Sequence, residues 1–373
     1  MSKIRWKLPL FLFAVTWLTT IGLRFDYPLR QIAVQYVYGE VPFEAFWTVL
    51  ADGLQYSAAL MFILSCHELG HFLQTRRYGI RSSLPYFIPM PFGPLGTLGA
   101  VIAMDGRIPH RKALFDIGIS GPLAGLVPTF FCLYFGIQWS QIVPSIPGDG
   151  LKLGEPLLLQ WMVQWMYGPL PPDLDVMLHP IAMAGWVGLL LTSLNLMPIG
   201  QLDGGHIFYA LLGKRAASAA WGVFYLLIVL VAVFQLWHWI LILLILSMIG
   251  VAHPSTANDA VPLTPLRRLL GWGTLAFVLI GFTPTPLQFN DSPPQKNEPQ
   301  WECRVQRVEW DTENSSMPNS AVIPGRTANK FCTIGQVIDL QVLILQRNVF
   351  YHEGTKGTKK CGEAEKLATN TEC

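Results

Sequence analysis

Apolar residues in this chain come in long uninterrupted runs, not in the alternation of a half-buried strand or the narrow stripe of a surface helix. Seven such runs, at residues 8–23, 55–73, 113–137, 179–197, 219–234, 237–251 and 269–282, read as transmembrane helices. Several are short for a hydrocarbon core of ~30 Å. The stretch 219–251 is read as two helices. As one, it would be about 50 Å long, too long for a single crossing. The tryptophans of QLWHW at 235–239 suit a membrane interface between two.

The segments between the runs carry their own patterns. SLPYFIPMPFGPLGTLGAVIAM (83–104) is apolar, yet Pro85, Pro89, Pro91 and Pro94 forbid a continuous helix. It reads as irregular chain dipping into the membrane under cover of protein, with GTLGAVIAM a candidate strand; a plain re-entrant packing loop is the alternative. LLLQWMVQWMY (157–167) sets Trp161 and Trp165 on one helix face. It is either an amphipathic helix lying in the outer interface or a surface helix packed on other loops. The basic start and apolar run of MSKIRWKLPLFLFAVTWLTTIGL resemble a signal peptide. No small-x-small cleavage site follows, so it is read as a retained first span. Beyond residue 282 the pattern changes: the linker FNDSPPQKNEP leads to the strand-like runs ECRVQRVEW and QVIDLQVLILQRNVFY.

Charge gives the arrangement a direction. Only 13% of residues are charged, against about 25% in soluble proteins. The net charge of +2 is too small to suggest nucleic acid as a partner. With the N-terminus in the cytoplasm, the inner segments hold thirteen Lys and Arg and the short outer segments only Arg24, Arg30 and Lys152. That bias fits the positive-inside rule and seven spans, and it puts the tail outside. Cys66 and Cys132 lie in apolar runs and read as buried thiols. Cys303, Cys332, Cys361 and Cys373 lie in the tail and point to disulfides in an oxidising compartment; zinc binding by the four is the rival, although no C-x-x-C pair occurs. The expected location is a bacterial inner or plasma membrane.

Within the second run stands SCHELGHF (65–72). His67 and His71 are four residues apart, so on a helix both imidazoles project from nearly one face. This spacing lets two nitrogens reach one Zn²⁺. Glu68, rotated by ~100°, can reach a water on the metal without binding the metal. That is the division of labour in H-E-x-x-H hydrolases. Gly70 lets another helix approach. A satisfied histidine pair in a helix bundle is the bland alternative, but ionisable groups inside a span are costly and functional by default. A catalytic zinc needs a third protein ligand. The carboxylates near a span end on the correct side are Asp105, Asp116, Asp203 and Asp259. Asp203, at the inner end of the fourth span, is expected at a depth similar to the two histidines.

HELGH at 67–71, GISGPLAGL at 118–126 and NLMPIGQLDGGH at 195–206 together resemble the site-2 protease family of intramembrane metalloproteases. Its second hallmark, N-x-x-P-x-x-x-x-D-G, is met by Asn195, Pro198, Asp203 and Gly204. The resemblance covers roughly 50–285. It implies a catalytic core of the second, third and fourth spans, with one zinc per chain held by His67, His71 and Asp203. Glu68 would be the general base and Asn195 would position substrate or the oxyanion. It also implies that 83–104 forms a β-hairpin that receives unwound substrate by strand addition, since freed backbone groups need partners. Pro198 can break a helix, and Gly204 and Gly205 are expected to let the chain turn sharply beside Asp203. GPLAG (121–125) reads as a small-residue helix contact, and Asp116 as a cap or a partner of Arg111 or Lys112. His206 can lie just outside the ligands; His110 and His253 read as interfacial. None of these three histidines is expected to bind the metal. The 138–178 segment is too short to hold a PDZ domain of the sort many family members carry.

The fold expected is an all-α polytopic membrane protein of about seven transmembrane helices. It has a three-helix core, a membrane-associated β-hairpin or re-entrant loop, and a small extracytoplasmic C-terminal domain containing strands. The divisions are 1–50 (first helix and outer loop), 51–212 (catalytic core), 213–289 (accessory helices) and 290–373 (tail domain). The expected function is a zinc endopeptidase acting in the lipid bilayer on single-span membrane proteins, in regulated proteolysis or remnant clearance. A metal-binding transporter or scaffold without proteolysis is the alternative. Transporters show paired broken helices in repeated halves, and here only one break, at Pro198, is legible. A zincin acting on soluble peptides is disfavoured by the apolar surround of SCHELGHF.

Overall fold

A computed structural model describes residues 6–37, 44–91, 95–104, 108–145 and 151–289. All belong to the first of two compact units, Met1–Glu298. The tail domain, its four cysteines and Asp105 lie outside the described residues.

Ten α-helices carry most of the described chain: α1 (Lys7–Val37), α2 (Glu44–Arg77), α3 (Arg111–Gln138), α4 (Leu157–Tyr167), α5 (Pro180–Asn195), α6 (Asp203–Leu212), α7 (Ala216–Val233), α8 (Ile240–Ile249), α9 (Pro265–Ala276) and α10 (Val278–Gly281). Six short strands are β1 (Tyr86–Pro89), β2 (Thr97–Val101), β3 (Gln141–Pro144), β4 (Leu151–Leu153), β5 (Leu174–Met177) and β6 (Leu287–Phe289). They pair antiparallel as β1–β2, β3–β5 and β4–β6. Only the first pair was expected from the sequence, so the segments that flank α4 and follow α10 hold more strand than an all-α reading allows.

Three helical runs are long and apolar enough to cross a membrane: Phe46–Arg77, Arg111–Gln138 and Asp203–Val233. Lys7–Gly22, Pro180–Asn195 and Trp237–Ile249 are shorter apolar helices. The run Asp203–Val233 is broken at Gly213, whose φ of 61° suits glycine. There α7 folds back, so that Ala220 and Phe224 pack with Ile199. The predicted span 219–234 is therefore the second limb of a bent run. Residues 219–251 do form two helices. They reverse at Gln235, and Ala220 and Phe224 of α7 meet Leu246 and Val251 at the far end of the pair. The predicted span 269–282 is divided between α9 and α10.

The ends of the helices explain why they start and stop there. The His110 side chain accepts the Ala113 N–H at 3.1 Å and caps α3. Pro180 opens α5, and Thr264 with Pro265 opens α9, each proline standing where no helical N–H is needed. Arg76 and Arg77 close α2 at its negative pole.

At the centre α2, α3 and α5 pack on one another through glycine. A Cβ on Gly188 would sit 3.0 Å from both Ile63 and Thr129, and one on Gly185 2.9 Å from Leu133. Small residues let membrane helices approach closely. Trp186 is fully buried and donates to the Gly154 carbonyl at 2.8 Å, fastening the chain just after β4 onto the core. The exterior remains apolar, with Val127, Phe131, Val233 and Leu269 all more than half exposed. The length and apolarity of the helices and this surface describe an integral membrane protein.

The β1–β2 hairpin pairs Phe87 with Ala100 and Tyr86 with Val101. It lies against α1 and α2. Phe87 meets Phe13 edge to face at 5.1 Å. Thr19 Oγ1 donates to the Gly96 carbonyl at 2.8 Å, and the Tyr56 hydroxyl to the Leu95 carbonyl at 3.1 Å. In α4, Trp161 and Trp165 are exposed while Leu158, Leu159 and Met162 are buried in the protein core, so one face of this helix packs on the protein.

Candidate metal centre

His67 and His71 project from the same face of α2, ten and six residues, or ~15 and ~9 Å, from its end at Arg77. Both are buried, at 5% exposure each. Asp203 opens α6 directly after the tight loop 196–202, at the positive pole of that helix. The three side chains converge. His67 Nε2 lies 3.0 Å from Asp203 Oδ2 and 3.2 Å from His71 Nε2, and His71 Nε2 lies 3.2 Å from Asp203 Oδ1. Donors bound at 2.0–2.1 Å around one tetrahedral centre stand about 3.3 Å apart, so this set fits a zinc ion. Among the described residues it is the one group of three or more His, Cys, Asp or Glu side chains with that convergence.

The ring orientation is fixed from behind. His71 Nδ1 lies 2.8 Å from the Ile117 carbonyl. A carbonyl only accepts, so Nδ1 carries the hydrogen and Nε2 is left with its lone pair facing His67 and Asp203. Glu68 is 4% exposed and lies within electrostatic reach of His71 and Asp203. Asn195 is the last residue of α5. Among the described residues its side chain makes no hydrogen bond to His67, His71 or Asp203.

The other candidate carboxylates are engaged elsewhere. Asp116 receives Arg267 Nε at 2.8 Å on one oxygen. On the other it receives the Arg267 terminal nitrogen at 3.0 Å and the Tyr78 hydroxyl at 2.5 Å. Its partner is thus Arg267, from α9, and not Arg111 or Lys112. Burial is the largest influence on the Tyr78 hydroxyl; together with Asp116 it pushes the group up to about 12. Asp259 accepts from Tyr209 at 2.8 Å and from Thr256 at 2.6 Å. Burial acts to raise its carboxyl, but these hydrogen bonds and the Arg111 charge hold it below the usual range.

Helix α3 contributes no ligand but shapes the centre with three glycines on one face. A Cβ at Gly121 would overlap the His71 imidazole. One at Gly125 would come within 3.0 Å of the His67 Cβ, and one at Gly118 within 2.8 Å of the His206 Cβ and 3.3 Å of the Asp203 carbonyl. The small-residue contact at GPLAG is therefore made to His71 and His67 themselves. The spacing of 118, 121 and 125 was readable in the sequence; what packs against it was not. A Cβ at Gly70 would meet the Ser120 carbonyl, so this glycine does admit a neighbouring helix. Gly204 and Gly205 serve close approach too, to the carbonyls of Leu196, Met197, Ile199 and Gly200. They lie within α6, and the turn itself falls at Gly200, with φ 56°.

His206 is buried, and its Nδ1 lies 2.7 Å from His253 Nε2; His253 is thus drawn into this network. Burial pushes the His253 imidazole down, which keeps it neutral. A cavity of about 1090 Å³ between β3, β5 and α4 has none of the three converging residues in its wall.

Residues 55–236 match peptidase family M50. A rice (Oryza sativa subsp. indica) protein named probable zinc metalloprotease EGY2, chloroplastic, is 28% identical over 252 residues, covering 65% of this chain and 45% of its own. The rice (subsp. japonica) probable zinc metalloprotease EGY1, chloroplastic, is 35% identical over 156 residues, 40% of this chain and 26% of its own. The Arabidopsis thaliana probable zinc metalloprotease EGY2, chloroplastic, is 28% identical over 222 residues, 57% and 39% of the two chains. The chain thus spans less than half the length of these curated relatives.

Proposed function

Because the chain belongs, through residues 55–236, to peptidase family M50, the site-2 protease family, we propose that it is an intramembrane zinc endopeptidase. It hydrolyses peptide bonds in transmembrane segments of single-span membrane proteins. The observation that carries this reading is the convergence of His67, His71 and Asp203 beside a buried Glu68 within a bundle of apolar helices.

His67 Nε2, His71 Nε2 and the Asp203 carboxylate would hold one zinc ion. When bound, zinc supplies a Lewis acid for activating water and polarising the scissile carbonyl. Glu68 takes the proton of the attacking water and returns it to the departing amine. The low dielectric around it makes that charge transfer effective. Asn195 hydrogen-bonds the substrate carbonyl as charge develops on its oxygen. The β1–β2 hairpin pairs with the unwound substrate, giving its backbone groups partners that lipid does not offer.

The proposed topology has seven spans, with the N-terminus cytoplasmic and the tail extracytoplasmic; the distribution of Lys and Arg supports it. The proposed membrane is a bacterial plasma membrane. The named relatives are chloroplast proteins and lend that choice no support.

The test is cleavage of a single-span reporter by the purified protein in detergent. Glu68→Gln should retain zinc and lose activity by a factor of about 10² or more. Full activity in that variant would remove Glu68 from its role.

A further inference from the structure

The segment that joins α8 to α9, beyond the residues that match the family, is stitched across the site. The Gly200 N–H donates to the Val251 carbonyl at 2.8 Å. Farther along, the N–H groups of Ala257 and Asn258 donate to the carbonyls of Ile108 and Pro109, both at 3.0 Å. One end is thus tied to the loop that leads into Asp203 and the other to the chain that leads into α3. Between these ties His253 reaches inward. Its ring lies against Tyr209 at 5.0 Å between centroids, and its Nε2 lies 2.7 Å from His206 Nδ1.

The direction of this hydrogen-bond chain follows from its outer end. His253 Nδ1 lies 2.5 Å from the Pro254 carbonyl, which only accepts. Nδ1 therefore carries the hydrogen, Nε2 accepts, and His206 Nδ1 donates. His206 stands three residues after Asp203, on nearly the same face of α6. The His206 Cβ and the Asp203 carbonyl both pack on Gly118, where an added Cβ would lie 2.8 and 3.3 Å from them.

We propose that His253 is a positioning residue for the metal centre: by holding His206 it fixes the first turn of α6 and so the Asp203 carboxylate. The inference rests on the reading of His67, His71 and Asp203 as one zinc site. Outer partners that orient a ligand typically change metal affinity by about tenfold to a hundredfold when removed.

The experiment measures zinc affinity of the full chain in detergent by competition with a chromophoric chelator, alongside melting of the zinc-free protein. His253→Ala should weaken zinc binding by about tenfold or more with the melting temperature of the zinc-free protein unchanged. His253→Gln, which can still accept from His206, should restore most of the affinity. Wild-type affinity in His253→Ala would overturn the proposal. So would a Gln variant as weak as the Ala variant, or a loss matched by equal destabilisation of the zinc-free protein. A wild-type chain that binds no zinc, or an Asp203→Ala variant that binds it undiminished, would instead overturn the underlying site.

Discussion

The imidazole of His71 lies on the bare backbone of Gly121, in space that a single methyl group would fill. Gly121→Ala should therefore push the ligating Nε2 of His71 out of place without changing the identity of any ligand. Zinc affinity should fall at least about tenfold, with an overpacking cost of about 1–3 kcal/mol. Chelator competition and melting measure the two effects. Gly222→Ala is the control: nothing lies within 4 Å of its added Cβ, and binding and stability should be unchanged or slightly improved.

Removal of a ligand should be all the more visible. Wild-type protein is expected to hold about one zinc per chain and Asp203→Ala much less, because a catalytic zinc uses three protein ligands. Metal analysis of both proteins needs no substrate. Stripping wild type with a chelator and restoring zinc should abolish and then recover cleavage.

The pairing of Asp116 with Arg267 joins α3 to α9 across 151 positions of sequence. Asp116 is 11% and Arg267 28% exposed, so the loss on Arg267→Ala should fall below the fully buried range, at about 2–3 kcal/mol. Replacing both, as Asp116→Asn with Arg267→Leu, should cost less than removing the arginine alone, since no uncompensated charge remains. Melting in detergent distinguishes the two outcomes.

Much of this could be read from residues alone. H-E-x-x-H spacing, the proline-broken stretch before GTLGAVIAM and the short list of carboxylates are local patterns, and each corresponds to something in the structure. Of the carboxylates described, only Asp203 reaches the histidines, while Asp116 and Asp259 are taken up by Arg267, Tyr78, Tyr209 and Thr256. What stayed hidden depends on distant pairing. The sequence contains His206 and His253 but nothing that brings them together across 47 positions. Likewise, a glycine spacing announces a close contact without naming what comes close. The β4–β6 pair was missed because both strands are three residues long and pair across more than 130 positions, too short and too distant for periodicity to register.

Fastening of the hairpin gives a way to separate substrate handling from metal binding. Thr19→Val with Tyr56→Phe removes the two hydrogen bonds that hold Leu95 and Gly96. Zinc content should be unaffected, while KM for a single-span reporter rises severalfold and kcat changes little.

Deleting residues 290–373 should leave zinc content intact, because all three converging residues belong to the unit Met1–Glu298. Selectivity among substrates is expected to broaden. Cleavage of a panel of reporters with outer segments of graded size measures this, and unchanged selectivity would remove the tail from substrate choice.

One consequence of the three glycines of α3 is mechanical. They lie along a single line on a helix that binds no metal, and one residue of helical rotation is ~100°. Turning α3 by that amount would withdraw the groove and set bulkier neighbours such as Ile119 and Pro122 beneath the imidazoles. The placement of the two imidazoles is therefore keyed to the phase of α3 about its own axis. Torque applied at its C-terminal end, where Phe131, Phe135 and Trp139 stack in file, would register at His67 and His71 as a loss of room, with no side chain chemically altered.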